Sequence, residues 1–193
     1  SDWLGQYNFE PLCVVRPTNT QQVSDVVRLA SRLRVSIVPV GGNTGLNGGT
    51  HSDKSISISM ERMNNIHEIR SSSKIALVEA GVILTTLHQA VNESDLMFPL
   101  TFGARGSATI GGVLSTNAGG SNVLKYGNTR DRVVGVEIVL PNGDIMNLMS
   151  ELHKDNSGYC LRDLVIGAEG TLGIITQAVL KLFPKPKAHA TAM

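Results

Sequence analysis

At 193 residues the chain suits one domain, or one domain with two lobes, and can bury about 70% of the surface its unfolded form exposes. Hydrophobic residues make up 41%, charged residues 17%, and the net charge is +1, so no basic stripe points to nucleic acid or an anionic membrane as the main partner. No apolar run approaches the ~20 residues of a bilayer span.

Ser1-Asp2-Trp3-Leu4-Gly5 lacks the charged and apolar blocks of a signal peptide, and the missing initiator methionine reads as an excised or processed start. Trp3 reads as a packing or fraying residue. Leu12 to Arg16 reads as a short buried strand that Pro17 ends. Thr18 or Thr20 can cap the next helix, whose Val23, Val26, Val27, Ala30 and Leu33 fall on one face. Ser36 to Pro39 is a second strand and Lys54 to Ser59 alternates as a third. Strand, helix, strand within about thirty residues is a βαβ unit, so the first two strands are expected to be parallel.

A second lobe starts near Asn65. Ile66–Ile69 and Ile75–Ala80 read as strands, and Leu84, Leu87 and Val91 mark a helix face. A long irregular stretch runs from Pro99 to Tyr126. Val133–Leu140 and Asp144–Met149 form a hairpin about the turn Pro141-Asn142-Gly143. Lys154 to Tyr159 is a loop, Leu161 to Ile166 a short helix or turn, and Ile174 to Leu182 a final strand. Pro184 and Pro186 then break the chain and read as the entry to a linker.

Cys13 and Cys160 form no CxxC motif and read as free, buried thiols of a reducing compartment. The five histidines (His51, His67, His88, His153 and His189) have no metal-ligand spacing, so no metal is assigned. Arg130-Asp131-Arg132 reads as a solvated charge cluster, and Tyr126 and Tyr159 as core packing.

Glycine is the informative residue. Of 20 glycines, 14 fall in three clusters, within residues 41–49, 103–120 and 167–173. The first, Gly41-Gly42-Asn43-Thr44-Gly45-Leu46-Asn47-Gly48-Gly49, follows the second strand. It sits where open α/β sheets bind ligands, at the carboxyl end of a parallel strand. Such a loop can aim several N–H groups at one anion, a phosphate or pyrophosphate. The alternative is a mobile surface loop with no ligand. Three such loops converging on one elongated ligand would explain the concentration. No two glycines are separated by a single residue, so the dinucleotide signature G-x-G-x-x-G is absent, and without a Gly-Lys pair so is the P-loop.

Four motifs in order carry a resemblance: Pro39 to Gly49, Gly106 to Gly112 running on to Thr116–Gly120, Lys154 to Tyr159, and Gly167 to Thr176. Together they resemble the FAD-binding domain of FAD-linked 2-hydroxyacid dehydrogenases, a group that includes D-2-hydroxyglutarate dehydrogenase, cytochrome-type D-lactate dehydrogenase and the FAD subunit of glycolate oxidase. The 2-hydroxyglutarate branch looks closest. The resemblance implies an α+β fold of the vanillyl-alcohol-oxidase type. A small βαβ lobe (about 11–64) and a larger mixed or antiparallel lobe with helices (about 65–183) would hold FAD between them. Residues 184–193 would lead to a cap domain.

Carried over by position, Pro39, Gly41, Gly42, Asn43, Thr44, Gly45 and Leu46 would hold the pyrophosphate. Pro99, Gly106, Ser107, Thr109, Ile110, Gly111 and Gly112 would lie on its ribityl side. Thr116, Asn117, Gly119 and Gly120 would lie near the isoalloxazine ring. Glu169, Gly170, Gly173, Ile174 and Ile175 would approach the adenine end, the ribose or the ring wall. Relatives that attach flavin covalently use a histidine in the first loop. Asn43-Thr44 stands there, so the expected FAD is non-covalent.

No residue here is a convincing catalytic base. The resemblance places the base, the 2-hydroxy acid pocket and the metal ligands of some members in the cap. The chain therefore reads as the cofactor half of an enzyme, inactive alone, with an electron-acceptor protein or quinone as further partner. The expected location is the bacterial cytoplasm or the mitochondrial matrix. Two alternatives stand beside this reading: a stand-alone flavin or nucleotide module serving a partner subunit, and a phosphate binder without flavin.

Overall fold

The computed structural model describes residues 5, 6, 10–188 and 190. Trp3 and His189 lie outside the described residues.

The first lobe is a three-stranded parallel sheet with one helix on it. β1 (Cys13–Val15), β2 (Ile37–Val40) and β3 (Ile56–Ser59) run in the order β1-β3-β2. β1 and β2 are parallel, as expected, but both pair with β3, which lies between them. β1 is therefore an edge strand, and this corrects the expectation of a buried one. Leu12 and Val14 are exposed, and so is Cys13. Cys160 is exposed too, so neither thiol is the buried group its spacing suggested.

α1 (Thr20–Leu33) starts at Asn19, whose Oδ1 accepts from the Gln22 amide at 2.9 Å. Asn19 takes the cap from Thr18 and Thr20. Thr20 is instead inside the helix, and its hydroxyl donates to Glu137 Oε1. Val23, Val27 and Ala30 are buried against the sheet. Leu33, in the last turn, is exposed, and the helix closes on left-handed Arg34 (φ 56°).

The second lobe is a five-stranded antiparallel sheet in the order β4-β5-β9-β7-β8. Its strands are β4 (Ile66–Arg70), β5 (Ile75–Glu79), β7 (Val133–Val139), β8 (Ile145–Leu148) and β9 (Ile174–Lys181). α2 (Leu84–Asn92) and α3 (Ile110–Ser115) pack on one face. Leu84, Leu87, Leu100, Ile110, Leu114, Ile138 and Leu180 are fully buried between the layers. Each such side chain stabilises the fold by about 1.5–3 kcal/mol. Ala80, Val139 and Ile174 of this lobe join the core under α1, which packs the two lobes together.

Several expectations are corrected. The stretch from Pro99 to Tyr126 is not irregular throughout. It holds a 3₁₀ turn (Gly103–Gly106), α3 and α4 (Val123–Tyr126). The Arg130-Asp131-Arg132 cluster is solvated only in part: Asp131 is exposed and Arg130 half-buried. Arg132 is wholly buried and donates to the carbonyls of Tyr126 (3.3 Å) and Gly127. Burial pushes its guanidinium pKa down, and Asp131 partly offsets this. Tyr159 is 96% exposed, beside α5 (Leu161–Val165), because its loop has no apolar layer above it. Tyr126 does pack, edge-on to Phe183 with ring centroids 4.9 Å apart. Pro184 itself is still paired. With Phe183 it forms β10, antiparallel to β6 (Leu96–Met97). An edge position tolerates a residue with no N–H.

Candidate functional site

β2 ends at Val40 and the chain turns at once into the first glycine loop. Gly41 and Gly42 press against the start of α3. A Cβ on Gly41 would meet Thr109 Oγ1 at 2.4 Å, and one on Gly42 would meet the Ser107 carbonyl oxygen at 1.9 Å. Glycine is needed here for close approach rather than for backbone angle. Asn43 follows with φ 51°, and its Oδ1 accepts from Thr50 Oγ1 at 2.6 Å. Among the described residues, the amides of Gly42, Thr44 and Gly45 donate to no backbone carbonyl.

The second loop is built on α3. The Ile110 amide donates to Val82 O (2.9 Å) and the Gly111 amide to Ala80 O (2.7 Å), which pins the helix start to the turn after β5. Thr109 Oγ1 is buried with no hydrogen-bond partner. Past α3 the chain reverses through Asn117 (φ 46°) and Gly120 (φ 80°).

The third loop is tied to both others. Gly167 N donates to Leu114 O (3.0 Å) and Glu169 N to Ser115 O (2.9 Å). Glu169 Oε2 accepts from Asn47 Nδ2 at 3.1 Å, across to the first loop. Gly170 (φ 80°) abuts Pro39, whose Cγ lies 2.8 Å from where a Cβ would be.

The three loops enclose a cleft of about 690 Å³, within the usual range of ligand sites. Of the residues expected at the site, the first loop brings Pro39, Gly41, Gly42, Asn43, Thr44, Gly45 and Leu46 to it. The second brings Thr109, Gly111, Gly112, Thr116, Gly119 and Gly120, and the third Glu169, Gly170, Gly173, Ile174 and Ile175.

Five others do not line it. Ile110 is wholly buried in the core and its amide is already bonded. Asn117 turns its side chain to the Arg130 amide, which donates to Oδ1 at 2.9 Å. Ser107 backs Gly42 from behind, Gly106 closes the 3₁₀ turn, and Pro99 lines a different groove. The Lys154–Tyr159 motif is also away from the cleft. It forms an exposed turn in which the Ser157 amide and hydroxyl donate to Asp155 Oδ1 and hold that carboxyl below its usual range.

Sequence reasoning missed Met60, Ala80 and Phe102, which line the cleft. Met60 directly follows the parallel strand β3, which is the signal that marks such a position. Glu169 is the one ionisable side chain among the described lining residues, and no histidine, cysteine or tyrosine is among them. No group of three or more His, Cys, Asp or Glu able to hold a metal is found among the described residues.

A sequence profile described as "FAD binding domain" matches residues 11–149. The chain belongs to this FAD-binding domain family. FAD is its cofactor, and the FAD-binding domain's cleft fits it. Uncommitted amides at Gly42, Thr44 and Gly45 suit a pyrophosphate without a cation, as does the unpartnered Thr109 hydroxyl. The FAD-binding domain is similar to D-2-hydroxyglutarate dehydrogenase of Xanthomonas citri pv. viticola, 41% identical over 96% of the chain and 39% of that protein. It is also similar to glycolate oxidase subunit GlcD of Bacillus subtilis, 42% identical over 100% of the chain and 41% of that protein. It thus spans about two-fifths of the length of these relatives. Among solved structures it is similar to alkyldihydroxyacetonephosphate synthase, with a TM-score of 0.82 and 28% identity over 91% of the chain and 32% of that structure's chain. The two-lobed α+β architecture is therefore the FAD-binding fold the motifs pointed to.

Proposed function

We propose that this chain is the FAD-holding part of a dehydrogenase that oxidises a D-2-hydroxy acid, of the 2-hydroxyglutarate, lactate or glycolate type, to the 2-oxo acid. The names of the relatives support the reaction class. The observation that carries the reading is the cleft itself, with three backbone-rich loops, unspent donors and no cation.

FAD, when bound, supplies the acceptor for the hydride of the hydroxy-bearing carbon. The chain's residues bind and orient it. The first loop would hold the pyrophosphate through the amides of Gly42, Thr44 and Gly45. Thr109 adds a hydroxyl donor. Thr116, Gly119 and Gly120, which line the cleft with little side-chain bulk, would leave room for the ring, and Ile174 and Ile175 would give it an apolar wall. Glu169 holds the first loop through Asn47 rather than moving a proton. The base that takes the hydroxyl proton comes from outside these residues.

FAD is held without a covalent bond in this reading: Asn43-Thr44 stands in the first loop, and no histidine, cysteine or tyrosine is among the described lining residues. Electrons pass on to an acceptor protein or a quinone. The proposed location is the bacterial cytoplasm or the mitochondrial matrix; no helix among the described residues is long and apolar enough to cross a membrane. The test is a visible absorption spectrum with added FAD, followed by acid precipitation. Intact FAD in the supernatant supports the reading. Flavin retained on the precipitate overturns the non-covalent assignment, and no binding at excess FAD overturns the cleft assignment.

A further inference from the structure

We infer that the groove between α2, β6 and the segment after β10 is a second binding site, for a small molecule carrying two or more negative charges. The groove measures about 870 Å³ and shares no lining residue with the FAD cleft. Arg105, Lys125 and Lys185 all line it, and no aspartate or glutamate is among its described lining residues. Ion pairs among the described residues engage Arg16, Arg28, Arg70 and Arg162, yet none of these three cations. Three uncompensated cations around one concavity repel each other, and an anion relieves that repulsion. In a chain of net charge +1 this is a local arrangement, not a general basic surface.

The groove is also built rather than merely charged. The Thr85 hydroxyl donates to the Arg105 carbonyl at 3.0 Å, which anchors the backbone carrying that guanidinium. Lys185 Nζ is bonded to Asn92 Oδ1 at 2.5 Å, and Lys125 Nζ lies 5.1 Å from the Tyr126 ring centroid. His88, half-buried, lines the same groove. Apolar walls at Phe98 and Tyr126 lower the local dielectric and strengthen charge recognition. The volume suits a metabolite-sized ligand. Carboxylates and phosphates share the required chemistry.

The test is titration of the ¹⁵N-labelled chain with citrate and, separately, inorganic phosphate at constant ionic strength, followed by amide chemical shifts. The expected result is saturating shifts confined to the surroundings of His88, Arg105, Lys125 and Lys185. Arg105→Gln, or Lys185→Gln if that variant does not fold, should weaken binding about tenfold, the loss of one charge-assisted contact. Lys154→Gln, on the remote turn, should leave it unchanged. The tighter probe identifies the source as carboxylate or phosphate. Shifts that do not saturate, shifts spread over all basic residues, or an affinity that neither Gln variant alters would overturn the inference. FAD binding is read separately by absorbance, so failure here leaves the cleft assignment standing.

Discussion

Gly42→Ala tests the close approach of the first two loops. The added Cβ would lie 1.9 Å from the Ser107 carbonyl oxygen, 2.7 Å from its carbon and 3.0 Å from the Ala108 Cα. All three are backbone atoms, so no side-chain rotation gives relief. Real Cβ contacts stay above about 3.0 Å, so the loops must part by at least about 1.1 Å. Overpacking of this kind costs about 1–3 kcal/mol. The same movement carries the Gly42 amide away from the α3 side of the cleft. Losing well-placed donors to a charged group costs about 1.5–3 kcal/mol, which is roughly ten- to a hundredfold in affinity. Gly106→Ala is the control. Nothing lies within 4 Å of its added Cβ, and Gly106 does not line the cleft. The assay is fluorescence titration with FAD on the apo chain, alongside thermal unfolding. Gly42→Ala should lose affinity and stability while Gly106→Ala keeps both. Equal FAD affinity in the two variants would refute the reasoning.

Three further outcomes follow from the same geometry. Thr109→Val removes a buried hydroxyl with no partner; the apo chain should melt no lower than wild type while FAD binds about five- to tenfold more weakly, as for one lost hydrogen bond of about 1–1.5 kcal/mol. Asn19→Ala deletes the α1 cap, and should lower the melting temperature by about 2–4 °C, corresponding to about 1 kcal/mol. Burial holds the His88 pKa below its ordinary value of 6.5, opposed by backbone hydrogen bonds to Leu100 and Phe98 and reinforced by the Arg105 charge. The folded state therefore binds this proton less readily than the unfolded one, and stability should fall as pH drops below 6.5, levelling off beneath the folded pKa. His88→Gln should flatten that slope in urea midpoints taken from pH 7 down to pH 5.

Periodicity and glycine clustering made much of the fold legible. The alternation at Lys54–Ser59, the apolar face of α1 and the turn at Asn142-Gly143 each rest on local physics that a short window contains. The three glycine clusters do meet at one cleft. What a string cannot show is which side of a segment faces inward. Ile110 sits among the small residues of the second cluster, but helical geometry turns it into the core. Asn117 carries site chemistry but spends its side chain on the Arg130 amide. The two arginines looked solvated because the carbonyls that receive them, of Tyr126, Gly127 and Ile166, belong to turns with no sequence signal. Tyr159 failed the opposite way, since aromatic character says nothing about whether a layer exists above it.

Both sheets place a late-made strand in their interior. β3 joins β1 to β2, and β9 joins the β4–β5 pair to the β7–β8 hairpin. During synthesis from the N-terminus, therefore, neither sheet can close as it is made. The five-stranded one remains two separate hairpins until residues 174–181 have left the ribosome. Such non-local closure folds slowly and exposes unpaired edges meanwhile. The last wall of the cleft, from Glu169 to Ile175, emerges at almost the same moment. A nascent chain thus has no complete cleft until this last stretch has been made.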